Sequence, residues 1–248
     1  MKHGSLVGFA VLSQWAVGAA VAAALGEVSL AYVALALMSA ALAVSFLHLG
    51  TATRAPLALA NWRSSWLSRE ILLAGAFGTA TLLWSVSGFA YPGGVAVAAF
   101  GVALVLVTGR AYWLPTRPEW RHWSTLTGGL ATALLLGPLT ALLAGFVSAA
   151  AGWLIVAGVT LALAGQATWM VHLSRVAPSA WRRMMRSPWT WVRPSVGVYL
   201  PLAVGLMAIA GVPVAQGFAA GALCAAVAGE TTYRALFFDA GLDRLPLF

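Results

Sequence analysis

Long apolar stretches of about 20 residues recur along this chain, separated by short polar links. A stretch of that length crosses the hydrocarbon core of a bilayer as an α-helix, because each backbone N–H and C=O group must find its partner inside the helix. The chain has 248 residues, of which 61% are hydrophobic and 8% charged. A soluble domain of this size has too small an interior to bury so much apolar surface. The sequence therefore predicts an all-α integral membrane protein with a single membrane domain.

The apolar pattern predicts eight transmembrane helices. Short, nearly uncharged links alternate with three longer links, 50–67, 110–125 and 174–194, which are rich in Arg, Trp and Pro. The predicted spans are residues 5–25, 28–49, 68–89, 93–113, 126–146, 149–173, 195–212 and 215–238.

The basic residues are distributed unevenly between the two sides of the predicted bundle. All 14 lie on the side of the three long links and the two termini, which we call the Arg-rich face. Because cytoplasmic loops carry the excess of Lys and Arg, this bias predicts that the Arg-rich face and both termini are cytoplasmic. The net charge of +8 lies in short loops between membrane spans. Basic residues at such positions typically contact lipid phosphates or a docked subunit, and this placement argues against binding of nucleic acid.

Several classes of function are excluded or disfavoured by residues that the sequence lacks. The single cysteine, Cys224, excludes a cysteine-ligated iron–sulfur cluster, a structural zinc site and an internal disulfide. The sequence contains no phosphate-binding glycine loop, metal-ligand cluster or nucleophile triad. A channel or pump needs polar groups through the full depth of the membrane, and the half opposite the Arg-rich face is almost purely apolar. We therefore expect no metal in this chain and disfavour a transporter.

A weak internal symmetry runs through the sequence. The same number of residues separates His48 from His172 and Arg110 from Arg234. Each of the two histidines is followed by Leu and then by an Arg and an Ala-Pro pair. This pattern favours two four-helix halves in parallel orientation, a plan known from other membrane proteins, although two matches at one spacing also arise by chance.

Two ionisable residues, His48 and Glu70, lie on neighbouring spans that form a hairpin. Because the link between these spans is on the Arg-rich face, both side chains are expected just inside that face. Inserting a charged group at the centre of a membrane span costs roughly 2.5–3.5 kcal/mol of free energy, so ionisable residues within spans usually have a functional or structural role. An imidazole and a carboxylate suit the binding of a quinone headgroup and the movement of its protons.

His48 and Glu70 also have other interpretations. His48 as a helix cap is one alternative, and His48 as a haem ligand is another, with His172 as the only plausible second ligand. For Glu70, the alternative is that its negative charge in the first helical turn compensates the positive end of the helix dipole.

The remaining polar residues of the spans have structural and functional interpretations as well. Arg110 either extends to the membrane interface or faces a quinone pocket with Tyr112. Gln14 either bonds a neighbouring helix or lines the pocket. Glu230 and Arg234 are four residues apart on the last span, a spacing that favours an ion pair.

Five stretches, taken in order along the chain, together carry a family resemblance. They are Gln14 with Gly18, His48-Leu49-Gly50 through Arg54-Ala55, Ser65 to Glu70, Arg110-Ala111-Tyr112 through Pro118-Glu119-Trp120, and Gly229-Glu230 through Arg234 to Phe238. This ordered set resembles the DmsC family, the membrane anchor subunits of dimethyl sulfoxide reductase-type molybdoenzymes.

The resemblance implies eight helices, a bound quinol or menaquinol and no haem. It implies that His48 and Glu70 act at the quinone site. It also implies two partners, a four-cluster ferredoxin-like iron–sulfur subunit and a molybdopterin catalytic subunit that carries the molybdenum chemistry. The residues assigned to quinone binding on this basis are Gln14, His48, Arg54, Trp66, Glu70, Arg110 and Tyr112.

The expected function is thus that of a quinone-binding anchor, for menaquinone or ubiquinone, in a three-subunit oxidoreductase of a bacterial inner membrane. Both dimethyl sulfoxide reductases and sulfite:quinone oxidoreductases are of this kind. The predicted cytoplasmic Arg-rich face favours the sulfite-oxidising type, because the iron–sulfur subunit should dock near the quinone. The alternatives are a haem b-containing cytochrome anchor of a respiratory dehydrogenase and, less favoured, a small-solute transporter.

Overall fold

The computed structural model describes residues 4–46, 61–90 and 92–242, and over these ranges the regular secondary structure is entirely helical. The α-helices within these ranges are α1 (Gly4–Ala24), α2 (Leu30–Phe46), α3 (Trp66–Val86), α4 (Gly93–Ala111), α5 (Trp123–Leu143), α6 (Ala149–Val176), α7 (Pro178–Arg186), α8 (Val196–Ile209) and α9 (Gln216–Leu242). The links within the same ranges contain two short 3-10 helices, Pro118–Trp120 and Pro188–Trp191.

Several of these helices are long and apolar enough to cross a membrane. The segments that meet this condition by length and composition are Gly4–Ala24, Gly93–Ala111, Trp123–Leu143, Ala149–Val176 and Pro188–Ile209. The apolar part of α2, Leu30–Ser45, is shorter. The predicted class, an α-helical membrane protein, agrees with this architecture.

The helix α7 was not predicted, since it lies within the long link 174–194. It begins at Pro178. Proline suits the first turn of a helix because N–H groups there have no partner within the helix, so the missing N–H of proline costs no hydrogen bond. Its small apolar side, Ala180 and Met184, is buried, whereas Arg182 is exposed. This amphipathic spacing makes a short helix that lies against the bundle.

Helices α1 and α5 form the centre of the bundle. Helix α1 packs on α2, α4, α5 and α9, and α5 packs on α1, α4, α6 and α9. The two helices cross at Gly18 and Gly137. A Cβ atom added at Gly18 would lie 2.2 Å from the carbonyl oxygen of Ala133, and one added at Gly137 would lie 2.1 Å from the carbonyl carbon of Gly18. Only glycine permits this approach of two backbones, as is common between membrane helices.

The same set of packing partners occurs in the two halves of the chain. In the first half, α1 and α3 each contact both α2 and α4. In the second half, α5 and α8 each contact both α6 and α9. The two halves of the described chain thus share one set of pairwise helix contacts, and α7 lies in the link between α6 and α8.

We expect Gly18→Ala to lower the free energy of unfolding by about 1–3 kcal/mol, because the added methyl group forces α1 and α5 apart. Thermal unfolding of the purified chain in detergent, followed by near-ultraviolet circular dichroism, measures the change. Gly75→Ala in α3 is the matched control, since an added Cβ there meets nothing within 4 Å. Replacing a helical glycine without a clash should leave stability unchanged or raise it. Equal unfolding temperatures of the two variants would contradict the crossing.

Candidate functional site

Glu70 lies in the interface between α3 and α4, with only 4% of its surface exposed. Thr108 of α4 donates its hydroxyl to Glu70 Oε1 at 2.7 Å, and no hydrogen bond reaches Oε2 from any residue that the structure describes. The Ser65 hydroxyl caps α3 by accepting the Ser68 N–H, so the helix starts at Trp66, two residues before the predicted start. Glu70 is therefore beyond the first turn, and compensation of the helix dipole does not explain it.

Trp66, at the start of α3, carries two arginine side chains over its indole ring. The guanidinium carbons of Arg69 and Arg110 lie 4.3 and 4.9 Å from the ring centroid. Arg110 also donates to the carbonyl oxygen of Trp113 at 3.0 Å, and Arg69 to that of Trp62 at 2.9 Å. These cation–π contacts hold positive charge at the end of the α3–α4 hairpin, one helical turn from Glu70.

A small cavity lies between α1, α4, α5 and α9. Its volume is about 10 Å³, roughly the space that one water molecule needs. Because Thr108 both lines this cavity and bonds Glu70, the carboxylate lies directly behind one wall. The polar lining residues are Gln14, Thr108, Tyr112, Thr125 and Arg234, and the aromatic ones are Tyr112, Phe237 and Phe238.

Tyr112 follows the last residue of α4 and packs edge-on against Trp120 and Phe238. Desolvation raises the pKa of its hydroxyl above the ordinary value, the nearby Glu70 carboxylate raises it further, and Arg234 lowers it. The hydroxyl is therefore a neutral hydrogen-bond donor near both a carboxylate and a guanidinium cation.

Arg234 of α9 extends into the centre of the bundle and is only 5% exposed. Its Nη2 donates to Gln14 Oε1 at 2.9 Å and to Thr132 Oγ1 at 3.4 Å. Its Nε is buried and has no partner among the residues described. The hydrogen-bond partners of the guanidinium among the described residues, Gln14 and Thr132, are neutral.

The predicted ion pair between Glu230 and Arg234 is wrong, because Glu230 pairs with Arg193. Arg193 donates Nε to Glu230 Oε1 at 2.7 Å and Nη2 to Oε2 at 3.0 Å, and the Thr132 hydroxyl donates to Oε2 at 2.7 Å. Arg193 precedes α8 and faces Glu230 across a helix interface. From there its planar fork meets both carboxylate oxygens, which gives a stronger contact than a single bond along one helix.

The two remaining predicted site residues, His48 and Arg54, lie outside the described residues. His172 stacks on His122 with ring centroids 5.0 Å apart, and its Nε2 donates to the Pro118 carbonyl at 2.8 Å. His122 caps α5 by accepting the Ser124 N–H at Nδ1. Partial burial, and secondarily His172, lower the pKa of His122. His172 thus ties α6 to the 118–120 turn, a role that disfavours it as a haem ligand.

Most of the predicted quinone-site residues that the structure describes lie in one region. Gln14 and Tyr112 line the cavity, Glu70 lies behind Thr108, and Trp66 and Arg110 lie at the end of the same hairpin. Sequence reasoning missed Thr108, Thr132 and Arg193, and it missed that Arg234 faces the cavity. The internal symmetry of the sequence could have indicated Arg234, because its position in the second half corresponds to the position of Arg110 in the first half.

Comparison of the chain with protein-family models, with curated proteins and with solved structures finds no match.

Loss of one member of the buried ion pair should destabilise the protein strongly. We expect Glu230→Ala to lower the free energy of unfolding by about 3–5 kcal/mol, since it leaves the Arg193 charge buried without a partner. The double variant Arg193→Leu with Glu230→Leu should lose less, because it removes both charges. Asp239→Ala, at an exposed carboxylate on the same helix, is the control. The pairing is refuted if Glu230→Ala unfolds at the same temperature as this control.

Proposed function

We propose that this chain is the quinone-binding membrane anchor of a three-subunit molybdopterin oxidoreductase of the DmsC type. The observation that carries the proposal is the gathering of Glu70, Tyr112 and Gln14 around one small polar region within an otherwise apolar bundle. Polar groups in such a bundle are costly, and their concentration at one place is typical of a functional site.

The side chains present fit the polar atoms of a quinone. Quinone carbonyl oxygens need donors, and the Tyr112 hydroxyl, the Gln14 amide and the Arg110 guanidinium can donate. Quinol hydroxyls need an acceptor, and Glu70 provides one. The Nε of Arg234, which has no hydrogen-bond partner within the described ranges, is a further donor beside the cavity. At about 10 Å³ the cavity is smaller than a quinone ring, so binding requires movement of the side chains around it.

When bound, the quinone supplies two-electron, two-proton redox chemistry. Thr108 holds Glu70 through Oε1, which leaves Oε2 to take or give a proton. The neutral Tyr112 hydroxyl donates a hydrogen bond. His48 is proposed as the second group that binds the ring, and it exchanges its proton with the water outside the membrane.

The architecture proposed for the intact complex has all eight long helices crossing a bacterial inner membrane. In this proposal α3 and α9 cross despite Glu70, Glu230 and Arg234, because these side chains face the bundle interior. The Arg-rich face is cytoplasmic and docks a ferredoxin-like iron–sulfur subunit. The nearest cluster of that subunit would exchange electrons with the quinone held by this chain, and the subunit would connect it to the molybdopterin subunit. The cytoplasmic orientation favours a sulfite:quinone oxidoreductase over a dimethyl sulfoxide reductase.

Glu70→Gln tests the proton-handling role, since it keeps the shape of the side chain but removes its ability to carry a proton. Quinone-coupled turnover of the intact complex should fall by about 100-fold or more. Quinone binding, followed by quenching of tryptophan fluorescence, should change little, and the dye-linked activity of the soluble subunits should remain. His48→Ala should also abolish quinone-coupled turnover.

Glu27→Gln, in the link between α1 and α2 at the other end of the bundle, is the matched control for this experiment. Normal quinone turnover in Glu70→Gln would show that the site is assigned wrongly. Soret and α absorption bands in the purified chain would instead establish the cytochrome b alternative.

A further inference from the structure

We propose that Arg234 makes this site prefer a quinone-like ring whose ring oxygen carries a negative charge. The inference rests on the proposed quinone site and specifies the charge form of the ligand that the site favours. Arg234 was not among the residues that the sequence assigned to quinone binding.

The ion pair of Arg193 with Glu230 leaves Arg234 without a directly bonded carboxylate among the described residues. Arg193 and Glu230 neutralise each other through two hydrogen bonds. Arg234 carries a second positive charge, since guanidinium groups keep their proton in proteins, and its partners Gln14 and Thr132 are neutral. An isolated buried charge is unfavourable unless a counter-charge lies close to it.

An aromatic contact gives Arg234 little further stabilisation. Arg193 lies over the Tyr233 ring with its guanidinium carbon 4.0 Å from the centroid, whereas the guanidinium carbon of Arg234 is 5.8 Å away. Arg193 thus occupies the better cation–π position on that ring. The distance from Arg234 gives only a weak attraction.

The Arg234 guanidinium group, which bonds no carboxylate directly among the described residues, lines the cavity. Arg234 shares its walls with Tyr112 and Thr108, and Thr108 bonds the Glu70 carboxylate behind it. A water molecule fits the cavity and can satisfy a donor, but it brings no charge. An ionised ring oxygen at this place accepts from a charged donor and also balances the charge, and such hydrogen bonds are roughly twice as strong as neutral ones.

Two probes with the same naphthoquinone ring and the same alkyl tail separate charge from shape. One has a 2-hydroxyl group that is ionised at neutral pH, and the other has a 2-methoxy group that is uncharged. Their affinities for the purified full chain in detergent are measured by quenching of tryptophan fluorescence. The wild-type chain should bind the hydroxy probe about 10- to 100-fold more tightly, and acid pH, which protonates that probe, should abolish the preference.

Variants assign this preference to Arg234. Arg234→Gln should weaken binding of the ionised probe much more than binding of the methoxy probe, so that the two probes bind about equally. Arg234→Lys keeps the charge and should retain part of the preference. Arg182→Gln, at an exposed arginine of α7, should behave as the wild type.

The outcomes distinguish this inference from the function on which it rests. Equal affinity of the wild-type chain for the two probes overturns the role of Arg234 and leaves the quinone site standing, without need of any variant. Equal weakening of both probes in Arg234→Gln shows a structural role only and also overturns it. If neither probe binds the wild-type chain, the quinone site and the inference both fail.

Discussion

The crossing of α1 and α5 at Gly18 and Gly137 is the contact on which the placement of the polar residues depends. Lipid tails are as apolar as leucine, so membrane helices associate through close packing and interhelical hydrogen bonds. Here the backbones approach so closely that neither glycine has room for a side chain. One turn from Gly18, the amide of Gln14 packs against Gly129 of α5. That position puts Gln14 within hydrogen-bonding distance of Arg234 on α9.

The buried polar residues then separate into a structural part and a part available for ligand chemistry. Arg193 and Glu230 satisfy each other with good geometry and are stabilised further by Thr132. Their pairing ties the link before α8 to α9. On the cavity side, Thr108 bonds one carboxylate oxygen of Glu70, and Arg234 Nε has no hydrogen-bond partner among the residues that the structure describes. Unsatisfied polar groups of this kind mark the side at which a ligand is proposed to bind.

The parts of the structure that depend on local pattern could be predicted from the sequence, and those that depend on contacts between distant helices could not. Apolar length alone places a helix over each predicted span, as for α6, predicted at 149–173 and found at Ala149–Val176. The predicted pairing of Glu230 with Arg234 is wrong because spacing along one helix carries no information about Arg193, which lies in the link before α8. Glu70 was placed in a first turn because the cap at Ser65 was not recognised.

Photolabelling tests the central claim that the quinone meets the chain beside Glu70 and Arg234. A quinone that carries an azide on its ring is irradiated with the full chain in membranes, and the labelled peptides are found by mass spectrometry. The account predicts labels at the α3–α4 end, within 62–70 and 108–113, and near 234–238 on α9, all removed by excess unlabelled quinone. Labels confined to α6 and α8, with none in those segments, would contradict it.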